Sequence, residues 1–186
     1  MRDSLPFDKN PNGPFEHLEA QDLAIDGAKL YILKPFVDGR GYFARVFCFS
    51  EFGFDAAQIN LSGTLKKDTL RGLHYQKNQA KLIRCTAGSV YDVILDVRKG
   101  SPSFGQWCAT ELSSKNKLAL YVPEGVAHGF ITTKDNSELL YISSAFYEPG
   151  LQKGVRYNDP QFNIWWVGNV KHISKQDETW PLWTDT

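Results

Sequence analysis

Six consecutive residues, Arg71-Gly72-Leu73-His74-Tyr75-Gln76, place an imidazole just after an arginine in a stretch that reads as a β-strand. Lys81 opens the next strand-like run. An imidazole titrates near neutrality and can accept a proton at working pH. A lysine ammonium can stabilise negative charge that develops on an oxygen. The arginine fork suits a phosphate. Together these groups are equipped to remove a proton beside a carbonyl in an anionic substrate. Glu138–Tyr147 alternates so that Leu139, Tyr141, Ser143, Ala145 and Tyr147 share one face. A phenol there is a candidate general acid, although two tyrosines at this spacing also serve as cross-strand packing.

The same residues have plainer readings. A lone histidine in a strand is more often hydrogen-bonded structure than a catalyst. His17 and His172 sit in polar stretches and read as surface residues, whereas His74 and His128 (in Val126-Ala127-His128-Gly129-Phe130) stand among apolar and small residues. Lys81 can equally be a solvated edge lysine. Strands joined by the short connection Lys77–Ala80 are expected to pair as a hairpin, which would bring Lys81 near His74. Arg40, Arg71 and Arg84 flank these segments. Strict alternation puts Arg71 and His74 on opposite faces. A shared site therefore requires a bulge, or Arg71 at the mouth of the strand.

Several chemistries are disfavoured. A metal site wants two or three His or carboxylate ligands at close spacing, such as His-x-His. The position two after His74 is Gln76, and no acidic residues cluster in sequence around His74 or His128. No metal and no cofactor are expected. Gly39-Arg40-Gly41 is too short for a phosphate loop, and no serine sits in an elbow motif. Lys+Arg and Asp+Glu number 21 each, so no global field favours nucleic acid or an anionic membrane. No apolar run approaches the ~18 residues of a membrane span, and Met1–Pro14 has no apolar signal region. Cys48, Cys85 and Cys108 are unclustered and suggest neither a disulfide framework nor zinc. The expected location is the cytoplasm.

The elements that must position these groups are short strands. A chain of 186 residues fits one domain. Residues 1–17 read as an N-terminal arm, and 18–186 as a single domain whose Trp- and Pro-rich tail after Asn158 wraps it with little regular structure. Val90–Val97 alternates cleanly, with Tyr91, Val93, Leu95 and Val97 on one face and Val90, Asp92, Ile94 and Asp96 on the other. Further strands are expected at Leu30–Pro35, Tyr42–Cys48, Thr69–Tyr75, Lys81–Thr86, Gly105–Glu111, Leu118–Val122, Gly129–Thr132 and Glu138–Phe146. Turn signals such as Asp38-Gly39, Ala87-Gly88 and Pro123-Glu124-Gly125 separate them. A short helix is expected at Ser50–Ala57, with Ser50 as N-cap. Many short strands at close spacing mean an all-β sandwich or barrel.

The hexapeptide around His74 resembles the signature of the dTDP-4-dehydrorhamnose 3,5-epimerase family. So do Asp38-Gly39-Arg40-Gly41-Tyr42-Phe43, Gln58-Ile59-Asn60-Leu61-Ser62, Asp96-Val97-Arg98 with Gly100-Ser101-Pro102-Ser103-Phe104-Gly105, and Val122–Phe130. Asn158-Asp159-Pro160 and Ser174-Lys175-Gln176-Asp177 resemble its late elements. The similarity runs in order over roughly residues 18–182. It implies an all-β, cupin-type jelly-roll barrel with short peripheral helices, without metal, working as a homodimer in deoxysugar biosynthesis. The implied substrate is a nucleotide-diphospho-4-keto-6-deoxyhexose, inverted at C3 and C5. By resemblance, His74 is the base, Asp177 fixes its tautomer, Lys81 stabilises the enolate, and Tyr141 returns a proton from the opposite face. Arg71 and Arg40 would hold the diphosphate. Gln58, Asn60, Phe43 and His128 match pocket-lining positions, and Tyr147 would line the sugar or nucleotide.

The chain departs from the family pattern in a longer N-terminal arm, Met1–Glu16, and at three places within the domain. Arg45 stands where a Glu is usual, Gln152 where a Glu often follows, and Ile164-Trp165-Trp166-Val167 replaces Ile-x-Trp-Pro. Arg45 matches a position near the nucleotide, so the base stays open. Alternatives are inversion of one carbon only, a CDP-linked or other nucleotide-linked sugar, and a 3,4-ketoisomerase on the same barrel. That last class would carry a second imidazole where Gln76 stands. Outside this chemistry, the competing classes are a metal-dependent cupin and a non-enzymatic carbohydrate-binding jelly roll.

Overall fold

The computed structural model describes residues 19–184. The expected arm, His17 included, lies outside the described residues. In chain order the elements are β1 Glu19–Asp22, β2 Lys29–Ile32, β3 Phe36–Asp38, β4 Gly41–Phe43, α1 Phe49–Phe52, β5 Gln58–Thr64, β6 Thr69–Tyr75 and β7 Lys81–Ala87. There follow β8 Ser89–Asp96, β9 Trp107–Ser113, β10 Leu118–Val122, β11 Val126–Thr132, β12 Ser137–Ser143, β13 Lys153–Gly154, β14 His172–Ile173 and α2 Lys175–Glu178. One six-stranded sheet has the order β1-β2-β10-β7-β12-β5. The facing sheet has the order β13-β6-β11-β8-β9, with β14 added on β6. β3 and β4 form a separate hairpin. This is the jelly-roll architecture, and no described helix is long and apolar enough to cross a membrane.

The alternation of β8 sorts its side chains as the sequence pattern predicts. Val90 and Ile94 enter the core between the sheets, with Ile25, Ile83, Leu120, Phe130 and Leu139. Val93, Leu95 and Val97 face the other way, where Val155 and, from the wrapping tail, Phe162 and Trp166 cover them. The outer face of the first sheet is covered near α1, where Phe52 packs on Tyr31, Leu82 and Ile142. Burial on both outer faces is why these strands are rich in apolar residues on both sides. The turn after β8 is gathered on Asp96. Its fully buried carboxylate accepts from Ser103 Oγ at 2.6 Å, Arg98 Nη2 at 2.7 Å and Arg98 Nε at 2.9 Å. Burial opposes its ionisation, but these bonds, with that from Ser101, hold its pKa well below the usual carboxylate range. The Asp-x-Arg and Gly-Ser-Pro-Ser-Phe-Gly elements therefore build a turn.

Four local expectations are corrected. The strands of His74 and Lys81 do not form a hairpin: β6 pairs with β11, whereas β7 pairs with β10 and β12, so the connection crosses between sheets. The helix is one turn, capped at Cys48 without a side-chain bond, and it stops at Gly53 in the left-handed region (φ 72°). Ser50 is inside it, not its cap. The run Tyr42–Cys48 is a strand only to Phe43, because its pairing ends with the two-residue turn Gly39-Arg40 and the short β3 partner. The strand at Glu138–Phe146 ends at Ser143, leaving Tyr147 on a loop.

Candidate active site

The bulge needed to bring Arg71 and His74 to one face is present. Between the pairs His74–His128 and Arg71–Phe130, two residues of β6 oppose only Gly129 of β11. Gly72 makes this possible. Its φ is 114°, and a Cβ there would lie 2.6 Å from Gly129 Cα and 2.7 Å from His128 O. His74, Arg71 and His128 therefore point from the second sheet into a cavity of ≈ 260 Å³.

The first sheet supplies the opposite wall. Lys81 of β7 is opposite Ser143 of β12, and Tyr141 is opposite Asn60 of β5. Gln58, Asn60 and Ser62 alternate along β5 toward the cavity, and Tyr147 stands on its rim. The His74 imidazole and the Tyr141 phenol thus belong to facing sheets, with the cavity between them.

Asp177 reaches His74 through a helix cap. Ser174 is the N-cap of α2, and its Oγ accepts from Asp177 N at 3.1 Å. The side chain of Asp177, almost wholly buried, is thereby fixed beneath β6. Its Oδ2 accepts from Gly72 N at 3.1 Å, and its Oδ1 accepts from His74 Nε2 at 2.6 Å. A carboxylate only accepts, so in the neutral imidazole the ring proton sits on Nε2 and Nδ1 keeps its lone pair. Burial works against the Asp177 charge, but the His74 contact and the Gly72 N–H hold its pKa below the ordinary value.

A second dyad was not foreseen as such. His128 Nε2 donates to Asp92 Oδ2 at 2.9 Å, and both side chains are buried. The signal was present: a single carboxylate on the Val90–Ile94 core face must find a partner. Burial raises the Asp92 pKa, against the pull of His128 and Lys81. Lys81, desolvated, is drawn down to about 8, with Asp92 opposing the fall. Burial, with the Asp92 charge, pushes the Tyr141 phenol far up, while Arg71 pulls it down. Tyr141 therefore stays protonated through the neutral range, as a proton donor must. Its ring sits edge-on to His128, with centroids 5.9 Å apart. Sequence reasoning also missed Gln79 and Phe130, which line the same cavity.

Three expected binding residues are not brought to it. Arg40 and Phe43 lie on the exposed β3–β4 hairpin, where Arg40 Nη2 donates to Asp38 Oδ2 at 2.6 Å. Arg45 Nη1 pairs with Glu51 Oε1 at 2.9 Å. The hairpin is a sheet of its own, so nothing in the topology carries it to β6 within one chain. Arg84 lies buried on β7 and does not line the cavity. Among the described residues, no group of three or more His, Cys, Asp and Glu is placed to hold a metal ion.

A family model described as dTDP-4-dehydrorhamnose 3,5-epimerase matches residues 22–185. The dTDP-4-dehydrorhamnose 3,5-epimerase of Sinorhizobium fredii is 38% identical over 170 residues, 87% of each chain. The crystal structure of the Bacillus anthracis enzyme of that name, with TDP and PPi bound, superposes with TM-score 0.86 at 34% identity, covering 90% of this chain and 100% of that one. ChmJ, a 3'-monoepimerase from Streptomyces bikiniensis in complex with dTDP-quinovose, gives 0.79 at 32% identity, covering 86% and 85%. With the two-walled cavity and its His–Asp dyad, a match over nearly the whole described chain makes this protein a member of the dTDP-4-dehydrorhamnose 3,5-epimerase family.

Proposed function

We propose that the cavity epimerises a nucleotide-diphospho-4-keto-6-deoxyhexose at carbons beside its C4 ketone, using side chains alone. The observation that carries this is the placement of base and acid on facing sheets. His74 Nδ1 removes the proton from one face of the sugar. The charge that develops on O4 is met by the Lys81 ammonium, an interaction worth ~3 kcal/mol in comparable oxyanion sites. Tyr141 protonates the planar carbon from the other face, and the configuration inverts. Arg71 at the cavity mouth faces the diphosphate. The cavity is at the small end of ligand sites, so it takes the sugar and leaves the nucleotide on the rim beside Tyr147 and Gln58. The thiols of Cys48, Cys85 and Cys108 are free, which fits a reducing compartment such as the cytoplasm.

Incubation with dTDP-4-keto-6-deoxyglucose in D₂O, followed by NMR, tests the reading. Deuterium is expected at C3 or C5 of an inverted product. In Tyr141→Phe, inversion falls ~10²-fold, while deuterium still enters with retained configuration, because the proton taken by His74 exchanges with D₂O and the ring then returns a deuteron to the same face. A Tyr141→Phe enzyme that inverts as fast as wild type would place the acid elsewhere.

We also propose a homodimer. β5 turns its polar residues inward and leaves Ile59 and Leu61 61% and 63% exposed at a sheet edge. Phe36, Val37 and Phe43 of the hairpin are likewise exposed. Apolar edges of this kind are covered in working proteins. A second copy covering them would also let its hairpin bring an arginine and a phenylalanine to this cavity. Leu61→Glu is expected to sediment as a monomer with weakened substrate binding. A wild-type chain that sediments as a monomer at micromolar concentration refutes the dimer.

A further inference from the structure

The segment after β12 carries Tyr147 to the cavity rim without a strand beside it. Side-chain amides take up its backbone groups instead. Gln79 Nε2 donates to Ala145 O at 2.9 Å, and Gln76 Nε2 donates to Phe146 O at 3.2 Å. Gln58 Oε1 accepts from Tyr147 N at 3.0 Å, and Gln76 Oε1 accepts from Glu148 N at 3.4 Å. Ser144 begins the segment with two bonds to Ala80: its N–H donates to Ala80 O at 3.0 Å, and its Oγ accepts from Ala80 N at 2.8 Å. Three glutamines thus replace a neighbouring strand.

Gln76 is the centre of this arrangement. It is the one side chain of the three that both donates to and accepts from the segment, and it is only 3% exposed. A further bond from its Nε2 to Asn78 Oδ1, at 2.9 Å, fixes the orientation of the amide. It does not line the cavity. It stands two residues after His74, at the start of the connection that crosses to Lys81. An apolar side chain in its place would leave two backbone groups of the segment without their partner.

We propose that Gln76 is a positioning residue for substrate binding. Its amide holds residues 145–148 so that Tyr147 stands over the cavity. It thereby sets the affinity for the part of the substrate outside, and leaves the proton transfers alone. This rests on the function proposed above.

The test compares wild type, Gln76→Leu and Gln76→Glu, each with Tyr147 intact or as Tyr147→Ala. The glutamate keeps shape and acceptor but loses the donor to Phe146 O. The readouts are KM and saturating deuterium wash-in with dTDP-4-keto-6-deoxyglucose, and Kd for dTDP by calorimetry. With Tyr147 intact, KM and Kd are expected to rise ~10-fold, the scale of one lost hydrogen bond in a buried setting. Wash-in at saturation is expected to stay within about threefold. In the Tyr147→Ala background the Gln76 substitutions should add nothing to KM. Unchanged KM and Kd, a loss confined to the saturating rate, or a full KM increase that persists without Tyr147 would each overturn the proposal. So would a failure of both Gln76 variants to fold, which would make Gln76 a stability residue. If wild type itself washes in no deuterium, the parent function fails, while the dTDP affinities still decide the role of Gln76.

Discussion

His74→Ala slows deuterium wash-in next to the ketone by ~10³–10⁴-fold, the upper range for loss of a positioned general base. The expectation follows from the tautomer. Asp177 accepts from Nε2 at 2.6 Å, which leaves the Nδ1 lone pair for the substrate proton. The same logic makes Asp177→Asn nearly as damaging. An amide NH₂ turned toward the ring donates to Nε2, drives the ring proton to Nδ1 and removes the lone pair from the cavity. Asp177→Ala imposes no wrong tautomer and should be the milder change. NMR of the label position under single turnover measures all three. Wild-type wash-in from His74→Ala would move the base to another residue, and Asp177→Ala worse than Asp177→Asn would refute the tautomer argument.

Lys81→Met is expected to lose activity and gain stability together. Removal of the enolate partner costs ~10²–10³ in turnover. Stability moves the other way because the ammonium is desolvated in the folded protein, where its pKa falls from 10.5 to about 8. At pH 7 the group is charged in both the folded and the unfolded chain, so burying the charge costs the folded state. Discounted for contact with pocket water, the cost is roughly 2 kcal/mol. The unfolded chain binds more protons between pH 8 and 10.5, so wild-type stability rises across that window. The advantage of Lys81→Met is therefore full below pH 8 and fades above it. Denaturant unfolding at pH 7 and pH 10 reads this directly. The same deprotonation should end wild-type kcat/KM above about pH 8, and this limb should be missing from the residual activity of Lys81→Met. A variant no more stable than wild type at pH 7 would mean that the ammonium is better solvated than its surroundings indicate.

A functional site that opposes stability belongs in the protein that keeps it for chemistry. Lys81 fits that pattern, and so does Asp92, a carboxylate buried in the core beneath the cavity. His128, hydrogen-bonded to Asp92, joins the chemistry-bearing groups to the hydrophobic core at the same point. The cavity is thus polar at the base of an apolar sandwich, where charge–charge interactions are stronger than in bulk water because the surroundings are of low polarity.

Much of this was legible in the chain itself. Residue types named the chemistry: a neutral-range base at His74, a phenol at Tyr141, an ammonium at Lys81 and an arginine at Arg71. Alternation assigned faces within strands, and along β8 it did so residue by residue. Even the conflict between Arg71 and His74 was visible, with a bulge or a place for Arg71 at the strand mouth as its two remedies; that the bulge sits at Gly72 came from the packing against Gly129. These are local properties, set by a period of two and by turn residues.

What the chain could not show was which sheet each strand joins. Lys81 follows His74 so closely that pairing was the natural expectation, yet the two strands face each other across the core. Pairing partners depend on how far-apart segments pack, and no local period encodes that. The consequence is functional, since only strands in facing sheets can put base and acid on opposite sides of one sugar. The same non-local packing buries Asp92 against His128, brings Asp177 from the tail to His74, and keeps Arg40, Phe43 and Arg45 away from the cavity. The sequence by itself determined which groups are available for the proposed chemistry. The tertiary structure alone decided the sides from which they act, because burying both sheets' inner faces in one core sets their opposition.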